Sequence, residues 1–468
     1  MKSTPLSLAN CLLGHLSQWE PYLSQERTLE RVSALGVGLL CGVGQRTITR
    51  AIGFHDNTQK DWSADYKTFS RSPWDPRDLF APILQQAIQQ HQLARLVVSV
   101  DDTRVWRTGR HVPMTQWHRD PMGPAFHTNL RWGHRFLQAS LVLPLYQEDA
   151  ESSSRAVPIR WEMAPVVKKP GRKASAQELT QYHAQKKEKN LSRQFVAMVK
   201  ELRGHLNQSG HEQKQLVVAA DGSFSNRTVL AENWEQQGVC LVLRCRKDIV
   251  LCKRAKAGGN RFYGKMKFTP EQVRRWDGMA CWQNTRIFHG GRSRNVRYKE
   301  VGPVYWQGGG KKQPLRLIVL ASTGYRQSKH ARRQYHKPAY LLTTDLTTPL
   351  AILIQDYFDR WTIEVNHRDE KEILGVGHAQ VWNVHSVSKV PALIVAMYSW
   401  LILSALECYG PTRTNDYLPL PAWRSTPKRA SCQDMVALLR KQLADQPTDF
   451  LYGESSPNHR SMLLTAAA

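Results

Sequence analysis

The chain is poor in acid, poor in cysteine and nearly devoid of long apolar runs. Asp and Glu number 39 against 65 Lys and Arg, a formal charge of +26 over 468 residues, with a pI near 9.9. That excess is larger than solubility requires and points to a polyanionic partner, nucleic acid before membrane. The eight cysteines stand apart, at 11, 41, 240, 245, 252, 281, 408 and 432, with no CxxC pair and no His pair at finger spacing. They are too few for a disulfide scaffold, they argue against a structural zinc site, and they fit a reducing cytoplasm. The opening MKSTPLSLANCLLGHLSQWE lacks a signal-peptide apolar core. The one uncharged run of note, 390–406, is short for a membrane span and opens at Pro391, so it reads as a buried core helix. What is present is ordinary: 41% hydrophobic residues, which excludes a disordered, collagenous or coiled-coil chain. At ~150 residues per domain the length leaves room for two or three domains.

Residues 1–90 read as a helical domain. Leu29, Val32, Leu35, Leu39 and Leu40 keep helical spacing, and the basic segment GQRTITRAIGF follows. Two readings stay open there: a helix-turn-helix with Arg46, Thr47, Thr49 and Arg50 facing DNA, or a packing unit with a wet basic face. The glycines of GVGLLCGVG imitate a nucleotide loop, but no strand precedes them and the spacing is wrong.

From residue 95 the pattern changes to strands. ARLVVSVDD is an apolar run ending in two carboxylates, and NLRWGHRFLQASLVLPLY and AVPIRWEMAP follow as further strands. A lysine-rich helix is predicted over 176–207. QLVVAADGSFSN then ends a buried strand at Asp221, and GVCLVLRCR is another strand. The order predicts a mixed sheet whose first and fourth strands lie parallel, with Asp101 and Asp221 at neighbouring carboxyl ends. Residues 241–340 hold 24 Lys or Arg against four acidic residues, a net +20, in a strand-rich stretch. This block is expected to carry a positive surface, and its Tyr263, Trp276, Trp282, Tyr298 and Trp306 are candidates for packing or for base stacking. The acid-free run VVKKPGRKAS reads as a solvated loop or a phosphate contact.

The most specific feature is IQDYFDRWTIEVNHRDEKEILG, in which Tyr357, Arg360, Glu364 and Lys371 fall at offsets 0, 3, 7 and 14. On one straight helix these would form a single stripe about 21 Å long. A carboxylate flanked by two cations and a phenol suits a metal ion beside a phosphodiester, although Arg360 with Glu364 is also an ordinary i,i+4 ion pair. Asp356, Asp359, Asp369 and Glu370 fall off that stripe and read as solvated or paired. His367 has the spacing of a ligand but no matching imidazole.

This Tyr-x2-Arg-x3-Glu-x6-Lys pattern, with the DDT and ADG strand ends, resembles the insertion-sequence-4-like branch of DDE transposases over about 90–410. The resemblance implies an α/β, RNase H-like mixed sheet flanked by helices, with a β-rich insertion before the last catalytic helix. The organisation expected is an N-terminal helical domain at 1–90, core at 91–250 and 346–410, a basic insertion at 251–345, and a tail with a short helix at 411–468. Asp101, Asp221 and Glu364 would be catalytic carboxylates binding two Mg2+ ions, with Mn2+ as substitute. Asp101 and Asp102 alternate across the strand, so only one can be a ligand; the resemblance, through the family's Asp-x-Thr, selects Asp101 with Thr103, and Asp102 is the alternative. Tyr357, Arg360 and Lys371 would contact DNA phosphates, and Trp306 is the candidate platform for a flipped base. The expected partners are the terminal inverted repeats and target DNA, bound by a homodimer in a bacterial cytoplasm, with no membrane.

Overall fold

The computed structural model describes residues 7–55, 61–120, 123–124, 126–145, 153–255, 260–326 and 331–445; the expected tail beyond 445 lies outside them. Five helices come first: α1 (Leu8–Leu16), α2 (Glu26–Cys41), α3 (Ile48–Phe54), α4 (Trp62–Ser70) and α5 (Ala81–His91). Ser7, Thr47 and Asp61 cap the first turns of α1, α3 and α4 with side-chain oxygens that accept backbone N–H groups.

The strands β1 (Arg95–Trp106), β2 (Gln116–Arg119), β3 (Leu130–Pro144) and β4 (Ser154–Met163) follow. The predicted helix over 176–207 is two helices, α6 (Ala176–Glu188) and α7 (Leu191–Gln208). The break falls at Asn190, whose side chain caps α7. Then come β5 (Gln215–Ala220), α8 (Arg227–Leu230), β6 (Val239–Arg244), β7 (Leu251–Arg254), β8 (Tyr263–Phe268) and α9 (Pro270–Arg275). Next are β9 (Gln283–Phe288), β10 (Ser293–Val304), β11 (Leu315–Leu320), β12 (Gly324–Tyr325), β13 (Gln334–Tyr335) and β14 (Ala339–Thr343). The chain ends with α10 (Leu350–Asp359), α11 (Thr362–Arg368), α12 (Ser386–Tyr409) and α13 (Cys432–Asp445).

Ten strands make one mixed sheet in the order β2-β3-β1-β5-β6-β14-β11-β10-β9, with β4 also paired to β3. β1, β3 and β4 are an antiparallel meander, while β5 and β6 run parallel to β1. This arrangement is the RNase H-like α/β core that the strand order predicts. Strands of the basic block then extend the same sheet, since β14 pairs antiparallel with β6. The two faces separate by parity. Leu216, Val218, Leu241 and Leu243 pack with Phe195 and Val199 of α7. Val217 and Val242 pack with Leu353 and Ile354 of α10.

α12 is the one helix among the described residues that is long and apolar enough to cross a bilayer, and it lies almost wholly inside the protein. It serves as the core helix onto which α1, α2 and α5 pack. The segment at 46–50 does not present a uniform basic face. Arg46 is buried, Thr47 caps α3, and Thr49 hydrogen-bonds the Tyr66 hydroxyl. Of the carboxylates off the helix stripe, expected to be solvated or paired, Asp356 and Asp369 are paired and none of the four is exposed. Asp356 pairs with Arg95 at 2.7 Å, and Asp359 accepts from Ser154 at 2.7 Å. Glu370 is fully buried beside Gln138.

Candidate active site

The parallel pairing of β1, β5 and β6 stops at one level, although β1, expected from the sequence to end at its two carboxylates, runs on to Trp106 beside β3. The register pairs Val100 with Ala220 and Ala220 with Leu243, so the next residues, Asp101, Asp221 and Arg244, stand in a row. Neighbouring strands lie ~4.8 Å apart, which sets the spacing along that row. All three continue the parity that faces α10, as Val217 and Val242 do. Asp102 has the opposite parity and pairs with Arg104 at 3.2 Å. Asp101 also accepts the Asp102 backbone N–H at 2.8 Å.

The third carboxylate arrives from above the sheet. Glu364 lies on α11, and Arg360 links it to the row: Nη2 donates to Glu364 Oε1 at 3.0 Å and Nη1 lies 3.7 Å from Asp101 Oδ2. Arg244 approaches Asp221 at 3.9 Å. The Arg360 guanidinium is buried, and its Nε and Nη1 have no hydrogen-bond partner among the described residues. Burial works against its charge, yet Asp101 and Glu364 outweigh that and hold its pKa above the ordinary value.

The carboxylates remain short of positive charge. Burial pushes Asp101 up to about 7, against the pull of Arg360, and the charges of Asp102 and Asp221 push the same way. Glu364 is raised by burial too, again opposed by Arg360 and reinforced by Asp221. Three converging carboxylates, an all-oxygen donor set and incomplete compensation fit a hard divalent cation.

The Tyr357 phenol is raised by burial and sits within electrostatic reach of Arg244, Arg360, Asp221 and Glu364. The single straight stripe drawn from the sequence does not form. α10 stops at Asp359, α11 restarts at Thr362, and residues Asp369–Ile373 form a π-helical turn. Such turns re-aim side chains, and here one carries Lys371, whose ammonium feels Asp101 and Asp102. His367 is buried, with its Nε2 lacking a hydrogen-bond partner, and desolvation drives its pKa down to about 3. It is held neutral beneath the site.

Trp306 lines a cleft of about 750 Å³ with Gly222, Ser225, Asn226 and Arg246. The cleft therefore begins one residue past Asp221. Gly309 lies flat against the indole, where a Cβ would come within 2.5 Å of Cζ3, so no side chain fits there. Of the other block aromatics, Tyr298 is buried, Trp282 is overlain by Arg297 and Lys299, and Trp276 is exposed.

Arg244 escapes a reading based on the motif alone. The signal for it was present: it ends the apolar run GVCLVL by the same strand-end logic that marks Asp101 and Asp221.

No curated protein matches the chain. The sequence profile of the family described as DDE superfamily endonuclease matches residues 21–286, more than half of the chain. The matched span includes Asp101 and Asp221 and ends before Glu364, which the fold brings to them through Arg360. The chain belongs to the DDE superfamily endonuclease family.

Proposed function

We propose that this protein is a transposase that binds the terminal inverted repeats of a mobile element, cleaves DNA at its ends and joins the freed 3′-hydroxyl to target DNA. Membership of the family makes DNA the substrate and a nuclease-type reaction the chemistry. The observation that supports the reading is the approach of Asp101 and Glu364 to the one Arg360 guanidinium, with Asp221 beside Asp101 on the neighbouring strand and within electrostatic reach of both.

In this reading Asp101, Asp221 and Glu364 hold two divalent ions, Mg2+ for preference and Mn2+ as substitute. Ions held by these three carboxylates would supply an acidified water or hydroxyl as nucleophile and charge compensation for the leaving oxyanion. The chain's own groups do the positioning. Arg360, with two unpartnered donor nitrogens, and Lys371 neutralise phosphates on either side of the scissile bond, and the Tyr357 hydroxyl donates to a phosphate oxygen. Trp306, at the mouth of a cleft beside Asp221, offers a flat face for a base turned out of the duplex. The arginine-lined part of the sheet holds the DNA flank. Two copies acting on paired ends, in the cytoplasm, complete the proposal.

The test is a cleavage and joining assay on a DNA duplex carrying the element's own end. Glu364→Gln is expected to lose cleavage by at least about a thousandfold while binding the end normally. That is beyond the ~10–100-fold that losing a supporting partner of a ligand costs. Cleavage without joining by the unaltered protein would reduce the reading to a hydrolytic nuclease.

A further inference from the structure

A second cluster of ligand-type side chains lies away from the carboxylates. Cys11 and His15 stand one turn apart on α1, hence on one face, and that face packs against the carboxyl-terminal end of α12. There His15 Nε2 lies 2.9 Å from Glu407 Oε2 and 3.6 Å from Cys11 Sγ. The three ligand atoms all fall within 4.8 Å of one another. Cys408, the next residue of α12, interacts with Cys11 but falls outside the group whose ligand atoms all lie within 4.8 Å. Cys11 and His15 are buried and Glu407 is exposed, so the cluster is sealed behind and open to solvent in front. Trp400 stacks on the imidazole at 4.8 Å and 11°, which fixes its plane.

We propose that Cys11, His15 and Glu407 form a zinc-class metal site that clamps α1 to the end of α12, with its fourth position open to solvent on the Glu407 side. Tetrahedral Zn–S and Zn–N bonds of ~2.3 and ~2.05 Å place S and N about 3.5 Å apart, against the 3.6 Å found between Cys11 Sγ and His15 Nε2. A metal at Nε2 needs the proton on Nδ1 and an acceptor for it. Gln18 Nε2 lies 3.1 Å from Nδ1 and also donates to Gln86 Oε1 at 3.4 Å, so its amide has to turn over on metal binding, giving up the Gln86 bond, to become that acceptor. Binding would release the Cys11 thiol proton to solvent as the thiolate forms. Thiolate and imidazole select a borderline-soft ion, whereas the all-oxygen centre at Asp101 selects a hard one, so the two sites sort metals by ligand chemistry. Glu407 is 21 residues along α12 from Ser386, roughly 32 Å from its start. The cysteine spacing that argued against a structural zinc site could not reveal this one, because its halves are separated by 392 residues.

The full-length protein, purified without chelator and dialysed against Mg2+, is expected to retain about one zinc per chain. Cobalt substitution should give a thiolate-to-cobalt charge-transfer band that disappears in Cys11→Ser and persists in Cys281→Ser and Asp101→Asn. Glu407→Gln, at the exposed position, keeps the test available should Cys11→Ser misfold, and should weaken zinc binding at least about tenfold. A chain that retains no zinc and shows no such band overturns the proposal. So does zinc binding that both His15→Asn and Glu407→Gln leave unchanged.

Discussion

The two halves of the ten-stranded sheet differ in direction and in charge. From β4 to β6 the sheet holds the parallel strands, and the level at which their pairing stops gathers Asp101, Asp221 and Arg244 into one row. From β14 to β9 every pairing is antiparallel, so strand ends alternate and no such row can form. That half carries cations instead: a cleft of about 810 Å³ between β10 and the β12–β13 hairpin is lined by Arg292, Arg294, Arg297 and Arg333 and by no carboxylate. Parallel pairing concentrates acid at a point, where a metal can be held, while antiparallel pairing spreads cations along a surface, where a phosphate backbone can lie. One sheet thus keeps the reacting centre and the DNA platform in a fixed relation.

The comparison breaks most visibly at the acidic half. Asp221→Asn should lower cleavage by at least about a thousandfold with little change in DNA affinity, measured by cleavage rate at saturating DNA and by fluorescence anisotropy. Equal loss of binding and cleavage would mean that the two halves do not divide the labour. The converse variant, Arg292→Glu with Arg294→Glu and Arg333→Glu, acts on the basic half. It should weaken DNA binding about ten- to a hundredfold at low salt and flatten the salt slope by roughly 2 to 3, since each lost phosphate contact removes ~0.9. Cleavage at saturating DNA should survive. An unchanged salt slope would show that the cleft faces elsewhere.

A smaller effect separates burial from catalysis within the acidic half. Glu370 is raised to about 8 from an ordinary 4.5, chiefly by burial and against the hydrogen bond from Gln138. The folded chain therefore holds a proton that the unfolded chain releases, so stability is fully present below about 4.5 and is lost as pH rises through about 8. Glu370→Gln stays neutral throughout. Its stability relative to the unaltered protein should rise between pH 5 and 8, by roughly 1–3 kcal/mol at the upper end, read from denaturant midpoints. A pH-independent difference would place the carboxyl in water.

Much of this was legible in the sequence, for local reasons. The apolar runs at 95–100, 215–220 and 239–244 are strands buried on both faces, and the two aspartates follow directly on the first two of them. What was not legible depends on distance or on a small backbone departure. No glycine or proline marks the break between Asp359 and Thr362 or the π-turn that follows, so uniform helical spacing missed both departures from one straight helix. The junction of β6 with β14 joins residues about a hundred positions apart and has no local signature. Arg46 looked like a surface cation because its neighbours are polar, yet the packing of α13 encloses it beside Arg440. Glu370 sits in a run of charges, DEKE, which reads as solvated until the π-turn rotates it inward.

The central claim is that Asp101, Asp221 and Glu364 share one metal centre, and iron-directed cleavage of the polypeptide tests it most directly. Fe2+ bound in place of the native ion, with ascorbate and peroxide, cuts the backbone next to its ligands. The account predicts cuts near 101, 221 and 364 that excess Mg2+ suppresses together, while any cut near 11 or 407 resists Mg2+. Cuts near 101 and 221 without one near 364, or three cuts that Mg2+ suppresses at different concentrations, would contradict it.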